Sequence, residues 1–308
     1  MNTPLNIVFM GTPEFAVPSL QILVSHQYQI TAVVTSPDKP AGRGLKITNS
    51  PVKDFALAHH IPVLQPEKLK APEFLDQLTS YQADLQIVVA FRMLPERVWA
   101  MPRLGTFNLH ASLLPQYRGA APINWAIIRG EQETGVTTFF LQHEIDTGNI
   151  IFQEKEPISA EDTASTLYER LMHKGAELVL KTVQAIEADR YPQIPQILSE
   201  PIQLAPKIFK EDCEINWNQP ARAVHNFVRG LSPYPTAWTT LKSKICKIYR
   251  TDLTENTPDL ELTAGTYWTD HKKNLLFKAS EGYVSVKELQ MEGKKRMTVE
   301  EFLHGNSL

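Results

Sequence analysis

The chain has 308 residues, 43% of them hydrophobic and 21% charged, a globular composition that excludes a disordered polymer. Its 31 Lys and Arg face 34 Asp and Glu, so a net charge of −3 supplies no bulk positive field, and any nucleic-acid surface must come from locally placed charges. No run approaches the roughly 18 consecutive apolar residues of a membrane-spanning helix, so no membrane partner is expected.

The first predicted element is Asn6-Ile7-Val8-Phe9-Met10, an apolar strand stopped by Gly11. It follows Met1 so closely that no signal or transit segment is expected, which makes a cytoplasmic, bacterial protein the expectation. Phe15 to Leu23 reads as a helix and Ile30 to Val34 as a second strand. Ser50 is placed as an N-cap, with Pro51 at the first position of a helix running to about His59. Leu85 to Ala90 is the most strand-like segment of all. Near-continuous apolar strands alternating with helices predict an α/β fold, with a mostly parallel sheet covered by helices on both faces.

Thr106-Phe107-Asn108-Leu109-His110 is the next strand, with polar residues at alternate positions. Gly135 to Leu141 and Ile150-Ile151-Phe152 follow, and then a long helix from about Ser165 to Ile186. From Asp189 to Pro206 the chain carries Pro192, Pro195, Pro201 and Pro206 without helical period, as a stiff linker does. Beyond it, a helix near Ala221 to Arg229 precedes short strands at 247–249, 265–268, 274–277 and 283–286, the spacing of a small β-barrel. Thr298 and Glu301 form a capping-box pattern before a last short helix. The expected organisation is therefore a first domain over 1–188, a linker over 189–206 and a second domain over 207–308. Cys213 and Cys246 form no C-x-x-C and are expected to be free thiols.

Spacing disposes of several chemistries. Gly11-Thr12-Pro13 lacks the second and third glycines of a dinucleotide loop, and no G-x-x-x-x-G-K-[ST] occurs. His143-Glu144 begins like a zinc H-E-x-x-H, but the fifth residue is Thr147. Asp146-Thr147-Gly148 occurs once, whereas an aspartic protease needs two carboxylates sharing a proton. No metal site is expected.

A polar pair at a strand end remains. Asn108 and His110 are two residues apart and project from one face, while Phe107 and Leu109 point the other way. Ligands bind open α/β sheets at the carboxyl ends of their strands. The loop from Ser112 to Pro122 follows directly and can wall a pocket, and Asp146 lies in a later turn before Gly148. From these residues alone, an Asn/His pair satisfying turn backbone and an ordinary Asx turn at Asp146 stay open as alternatives.

Taken in chain order, Asn108-x-His110-x-Ser112-Leu113-Leu114-Pro115 and Asp146-Thr147-Gly148 resemble the active-site pattern of the 10-formyltetrahydrofolate-dependent formyltransferases. Val8 to Ala16 is similar to that family's opening strand and turn. Ser36-Pro37-Asp38-Lys39-Pro40-Ala41-Gly42-Arg43-Gly44, followed by Ser50-Pro51-Val52-Lys53, resembles a loop of the members that act on initiator tRNA. Ala205-Pro206-Lys207-Ile208, Ile215-Asn216-Trp217 and Val224 to Arg229 look like the start of those members' C-terminal domain. The resemblance spans about residues 5 to 305. It implies a Rossmann-like catalytic domain followed by an OB-like tRNA-binding barrel.

The activity implied is transfer of the formyl group of 10-formyltetrahydrofolate to the amine of methionyl initiator tRNA, for translation initiation, by a monomer without a metal. Its rivals are a UDP-amino-sugar formyltransferase and a non-catalytic tRNA-binding protein on the same fold. The Arg43 loop and the C-terminal domain weigh against the first, and the intact trio against the second. The resemblance assigns Asn108 and His110 as donors to the developing oxyanion and Asp146 as the group that orients His110. It assigns Phe91, Leu94, Ser112, Leu113, Leu114 and Pro115 to folate. Where the family usually has an aromatic-Gly pair this chain has Phe91-Arg92, a departure in the pterin wall. For tRNA it points to Lys39, Arg43 and Lys46 in the loop and to Lys207, Lys210, Arg222 and Arg229 beyond the linker.

Overall fold

Strands rich in Val, Ile and Leu on both sides must be covered on both faces. β1 (Asn6–Gly11), β2 (Gln29–Val34), β3 (Val63–Leu64), β4 (Leu85–Val89), β5 (Thr106–His110), β6 (Glu133–Phe140) and β7 (Ile150–Pro157) form one seven-stranded sheet in the order β7-β6-β5-β4-β1-β2-β3. β1 runs parallel to β2 and β4, β4 to β5, and β2 to β3; β6 runs antiparallel to β5. The computed structural model describes residues 4–41, 46–198, 201–255 and 261–305. They fall into two compact units, Met1–Gly119 with Gly135–Glu156 and Tyr168–Leu204, and Ala120–Thr134 with Pro157–Leu167 and Ala205–Leu308.

In the first unit the helices are α1 (Val17–Ser25), α2 (Pro51–Ala58), α3 (Pro72–Ser80) and α4 (Glu96–Trp99). Val8, Met10, Val34 and Val88 point to one face, where Phe74 and Leu78 of α3 and Val98 of α4 pack on them. Leu109 points to the other face, against Gly175. The short helices α3 and α4 were not among the predicted elements. Each is preceded or opened by proline and carries only one or two buried apolar positions, too few to show a 3.6-residue period.

The cap read at Ser50 forms: its Oγ accepts from the Lys53 backbone N–H at 3.1 Å and lies 2.7 Å from Thr35 Oγ1. Ser50→Ala is expected to lower stability by about 1 kcal/mol, read as a shift in the urea midpoint at unchanged slope. An unchanged midpoint would show that the cap contributes nothing to stability.

The second unit is discontinuous in sequence. α5 (Pro122–Ile128) packs on α7 (Ala221–Gly230), where Asn124 Nδ2 donates to Gly230 O at 2.8 Å. A Cβ at Gly230 would come within 2.7 Å of Ile128, so glycine permits the approach. The start of α6 (Ala164–Glu187), as far as Leu167, belongs to this unit. The antiparallel sheet of this unit contains β8 (Ala237–Leu241), β9 (Lys244–Thr254), β10 (Tyr267–Thr269), β11 (Leu275–Lys278) and β12 (Tyr283–Met291) in the order β8-β9-β12-β11-β10, with β13 (Met297–Thr298) on β12. Register shifts around Arg250 curl it. Ala221, Val224 and Val228, one stripe of α7, pack with Trp217, Phe277, Val284 and Leu289 into a single core. The capping box holds α8 (Val299–Gly305): Thr298 N donates to Glu301 Oε2 at 2.9 Å and Glu301 N to Thr298 Oγ1 at 3.3 Å.

Both cysteines are buried and free, and burial pushes the Cys246 thiol up to about 12, so it is not a nucleophile near neutral pH. Among the described residues no helix is long and apolar enough to cross a membrane.

Candidate active site

β5 ends in the polar pair, and its neighbours give the pair a setting. Parallel register puts Asn108 beside Val88, and antiparallel register puts it beside Phe139 and His110 beside Thr137. Asn108 therefore shares the α3–α4 face, and it is half-buried. Phe91 and Leu94 pack into the cluster on that face, Leu114 packs with Phe139 and Ile150, and Leu141 touches both groups. Phe91 and Leu94 thus belong to one apolar cluster and Leu114 to a second, with Leu141 packed against both.

His110 is 6% exposed, and its ring is oriented by backbone. Nε2 lies 2.8 Å from the carbonyl oxygen of Tyr117, which can only accept, so Nε2 carries the proton of that bond. Nδ1 is left facing Asp146 Oδ2 at 3.9 Å, within ion-pair distance but beyond a hydrogen bond. Asp146 Oδ2 takes its hydrogen bond from Gly119 N at 3.0 Å. Orientation of His110 by Asp146 was the expectation; in the structure the Tyr117 carbonyl makes the contact that fixes the ring, and the carboxylate stands opposite the remaining nitrogen. Tyr117 (φ +61°), Asp146 (φ +56°) and Ala90 (φ +48°) all hold left-handed backbone, a conformation that persists for non-glycine residues only where surroundings impose it.

The 112–115 loop is held from inside. Ser112 Oγ donates to Gln116 O at 2.6 Å, and Ser112 is fully buried. Thr137 Oγ1 donates to Ser112 O at 2.6 Å and accepts from Leu114 N at 3.2 Å, while Gln153 Nε2 donates to Leu114 O at 2.9 Å. Leu113 lies over Gly135, where a Cβ would approach its side chain to 2.6 Å. Ser112 therefore shapes the loop from within, and Leu113 packs on β6. Leu114 packs on Phe139 as described, and Pro115 is half-buried. Thr137 and Gln153 escaped sequence reasoning because a Thr and a Gln on amphipathic strands carry no local signal.

Arg92, the departure from the aromatic-Gly pattern, lies with its guanidinium carbon 5.3 Å from the Phe91 ring centroid, and Nη1 and Nη2 donate to the carbonyls of Glu67 at 3.0 Å and Pro66 at 2.7 Å. Burial holds its guanidinium below the ordinary arginine value. Phe91 keeps its place in the apolar cluster. A cleft of about 530 Å³ beside Leu94 is lined by Lys68, Lys70, Met93, Glu96, Trp99 and His143 among others. Among the described residues no group of three or more His, Cys, Asp or Glu is gathered to hold a metal ion.

Lys39 and Lys46 lie on a two-stranded ribbon, Lys39–Ala41 against Lys46–Thr48, and Arg43 lies outside the described residues. Lys53 pairs with Asp38, whose carboxyl is lowered by hydrogen bonds from Lys53 and from Gln65. In the second unit Lys207, Lys210 and Arg222 are exposed. Arg229 is engaged within its own unit, donating to Asn226 Oδ1 at 2.9 Å, Asp162 O at 2.9 Å and Ser159 O at 3.2 Å.

Residues 5–183 match the family model described as formyl transferase, and residues 207–307 match the formyl transferase C-terminal domain. The methionyl-tRNA formyltransferase of Bacteroides fragilis is 54% identical over 310 residues, covering 98% of this chain and 95% of the relative. That of Porphyromonas gingivalis is 51% identical over 315 residues, covering 99% and 96%. Among solved structures, WlaRD, a sugar 3N-formyl transferase, superposes with a TM-score of 0.70 at 22% identity over 96% of this chain and 100% of its own. An N-formyltransferase from Helicobacter canadensis superposes with a TM-score of 0.66 at 21% identity over 93% and 99%. At these identities the structures share the fold.

Proposed function

The chain belongs to the formyl transferase family, and from that premise we infer that it transfers a formyl group to the free amine of methionyl initiator tRNA, for translation initiation. The observation that carries this reading is identity above 50% to methionyl-tRNA formyltransferases over nearly the whole of both chains. The formyl donor in the proposal is 10-formyltetrahydrofolate, with its pterin against Phe91, Leu94 and Leu114 and its N10 as the leaving atom. The protein in this reading works as a cytoplasmic monomer.

Attack of the amine on the formyl carbon puts negative charge on the formyl oxygen, and the attacking nitrogen must lose a proton. Asn108 donates its amide to that oxygen from the strand end. His110, its Nε2–H held by the Tyr117 carbonyl, donates from Nδ1 to the same oxygen when the ring carries its second proton. Asp146 stands opposite Nδ1 and takes the proton the amine loses; as the intermediate collapses the C–N10 bond breaks and N10 leaves with a proton in its place. The surrounding apolar residues keep water from competing for the formyl carbon.

The first domain, 1–188, carries this chemistry in the proposal, and the 207–308 segment carries tRNA binding. Phosphate contacts are assigned to Lys39, Arg43, Lys46, Lys207, Lys210 and Arg222, with Arg229 bracing the helix that presents Arg222. The test offers 10-formyltetrahydrofolate with methionyl-tRNA, with uncharged tRNA and with a UDP-amino sugar. Formylation of methionyl-tRNA alone is expected. Formylation of the sugar alone, or of nothing, overturns the reading.

A further inference from the structure

One amide in the proline-rich segment bonds both the turn that carries Asp146 and the side chain of Arg118. Gln196 Nε2 donates to Asp146 O at 2.8 Å and to Gly148 O at 2.9 Å. Its Oε1 accepts from Arg118, at 3.2 Å from Nε and 2.6 Å from Nη2. Arg118 sits between Tyr117, whose carbonyl holds His110 Nε2, and Gly119, whose N–H holds Asp146 Oδ2. Gln196 thus ties the strand that touches both groups to the turn that carries the carboxylate.

The segment bearing Gln196 is itself anchored. Ile194 and Ile150 exchange backbone hydrogen bonds at 2.8 and 2.9 Å. Tyr117 N donates to Gln203 O at 2.6 Å, and Gln203 N to Gln116 Oε1 at 2.8 Å. The tie matters because His110 Nδ1 and Asp146 Oδ2, 3.9 Å apart, are too distant for a hydrogen bond to set their gap. That gap follows from where the two backbone arms sit, and the Asp146 arm is in left-handed backbone that relaxes if released. Only a primary amide has two donors for the carbonyls and an acceptor for the guanidinium at once.

We propose that Gln196 is a positioning residue for formyl transfer, which locks the Asp146 turn against the 117–119 segment so that His110 and Asp146 face the reacting atoms at fixed separation. The proposal rests on the reading of His110 and Asp146 as the reacting groups. Its test measures kcat, KM for both substrates and thermal unfolding for Gln196→Ala, Gln196→Glu, Arg118→Ala, the Arg118→Ala/Gln196→Ala pair and Asp146→Asn. Gln196→Glu keeps the acceptor for Arg118 but sets a charge against two carbonyls, and it stands in should the alanine variant fail to fold. A drop in kcat of on the order of ten- to a hundredfold is expected for both Gln196 variants, with KM changed by less than about twofold. The double variant should lose no more than the worse single one, since both cut the same tie. Wild-type kcat in the Gln196 variants, or a rise in KM alone, overturns the proposal while Asp146→Asn stays inactive. Wild-type turnover by Asp146→Asn instead overturns the reading of the site on which the proposal stands.

Discussion

His110→Ala is expected to lower the turnover number of formyl transfer by on the order of 10²–10³, with the folded fraction unchanged. The ring is buried and makes one strong contact, to the Tyr117 carbonyl, so alanine removes a donor from the reaction without emptying the apolar core. Asp146→Asn separates charge from shape. The amide oxygen can still accept from Gly119 N, so the turn stays, but the negative charge opposite Nδ1 is gone. A comparable loss in both variants would place the charge of the pair in the rate-limiting step. Single-turnover formylation of methionyl-tRNA, beside circular-dichroism melting, reads both effects. An alanine variant at near wild-type rate would remove the imidazole from the mechanism.

Gly148→Ala is expected to be nearly as damaging although it touches no substrate. A Cβ at Gly148 would lie 1.6 Å from the Phe140 carbonyl oxygen and 2.8 Å from its carbon, both backbone atoms of β6. No side chain can move aside, so the turn must shift, and Asp146 lies only two residues away. In the proposed mechanism Asp146 takes the amine proton, and a displacement of about 1 Å in such a group costs on the order of 10² in rate. The overpacking costs about 1–3 kcal/mol in stability. Steady-state kinetics with urea unfolding tests both, and normal kcat with normal stability would show that the turn has slack. The glycine is needed for space: its φ is not in the left-handed range, whereas that of Asp146 is.

Much of the catalytic half was legible because it rests on local regularities. Apolar runs between helices imply a parallel sheet, and alternation puts Asn108 and His110 on one face. Ser50 before Pro51 marks a helix start, and Thr298 with Glu301 marks another; both caps form as read. Other elements were invisible for physical reasons. Ala237–Leu241 was absent from the predicted strands, because its buried positions are Ala, Thr and Leu and its outward ones Trp and Thr, too little apolar contrast to show alternation. The grouping of 120–134 and 157–167 with 205–308 depends on α5 meeting α7, a contact between residues about a hundred positions apart.

By itself the sequence determined the order of strands and helices, the shared face of the polar pair, the two caps and the resemblance that led to the family. Only the tertiary structure decided that a backbone carbonyl orients His110, that Arg92 bonds the 66–67 carbonyls, and that Gln196 bonds both Arg118 and the Asp146 turn. The division has one physical cause. Periodicity and caps arise from neighbours within about one helical turn or one strand pair, so spacing records them. The hydrogen bond between Arg118 and Gln196, beside the site, joins residues 78 positions apart. Their geometry is fixed by how the chain returns on itself, which no local spacing encodes.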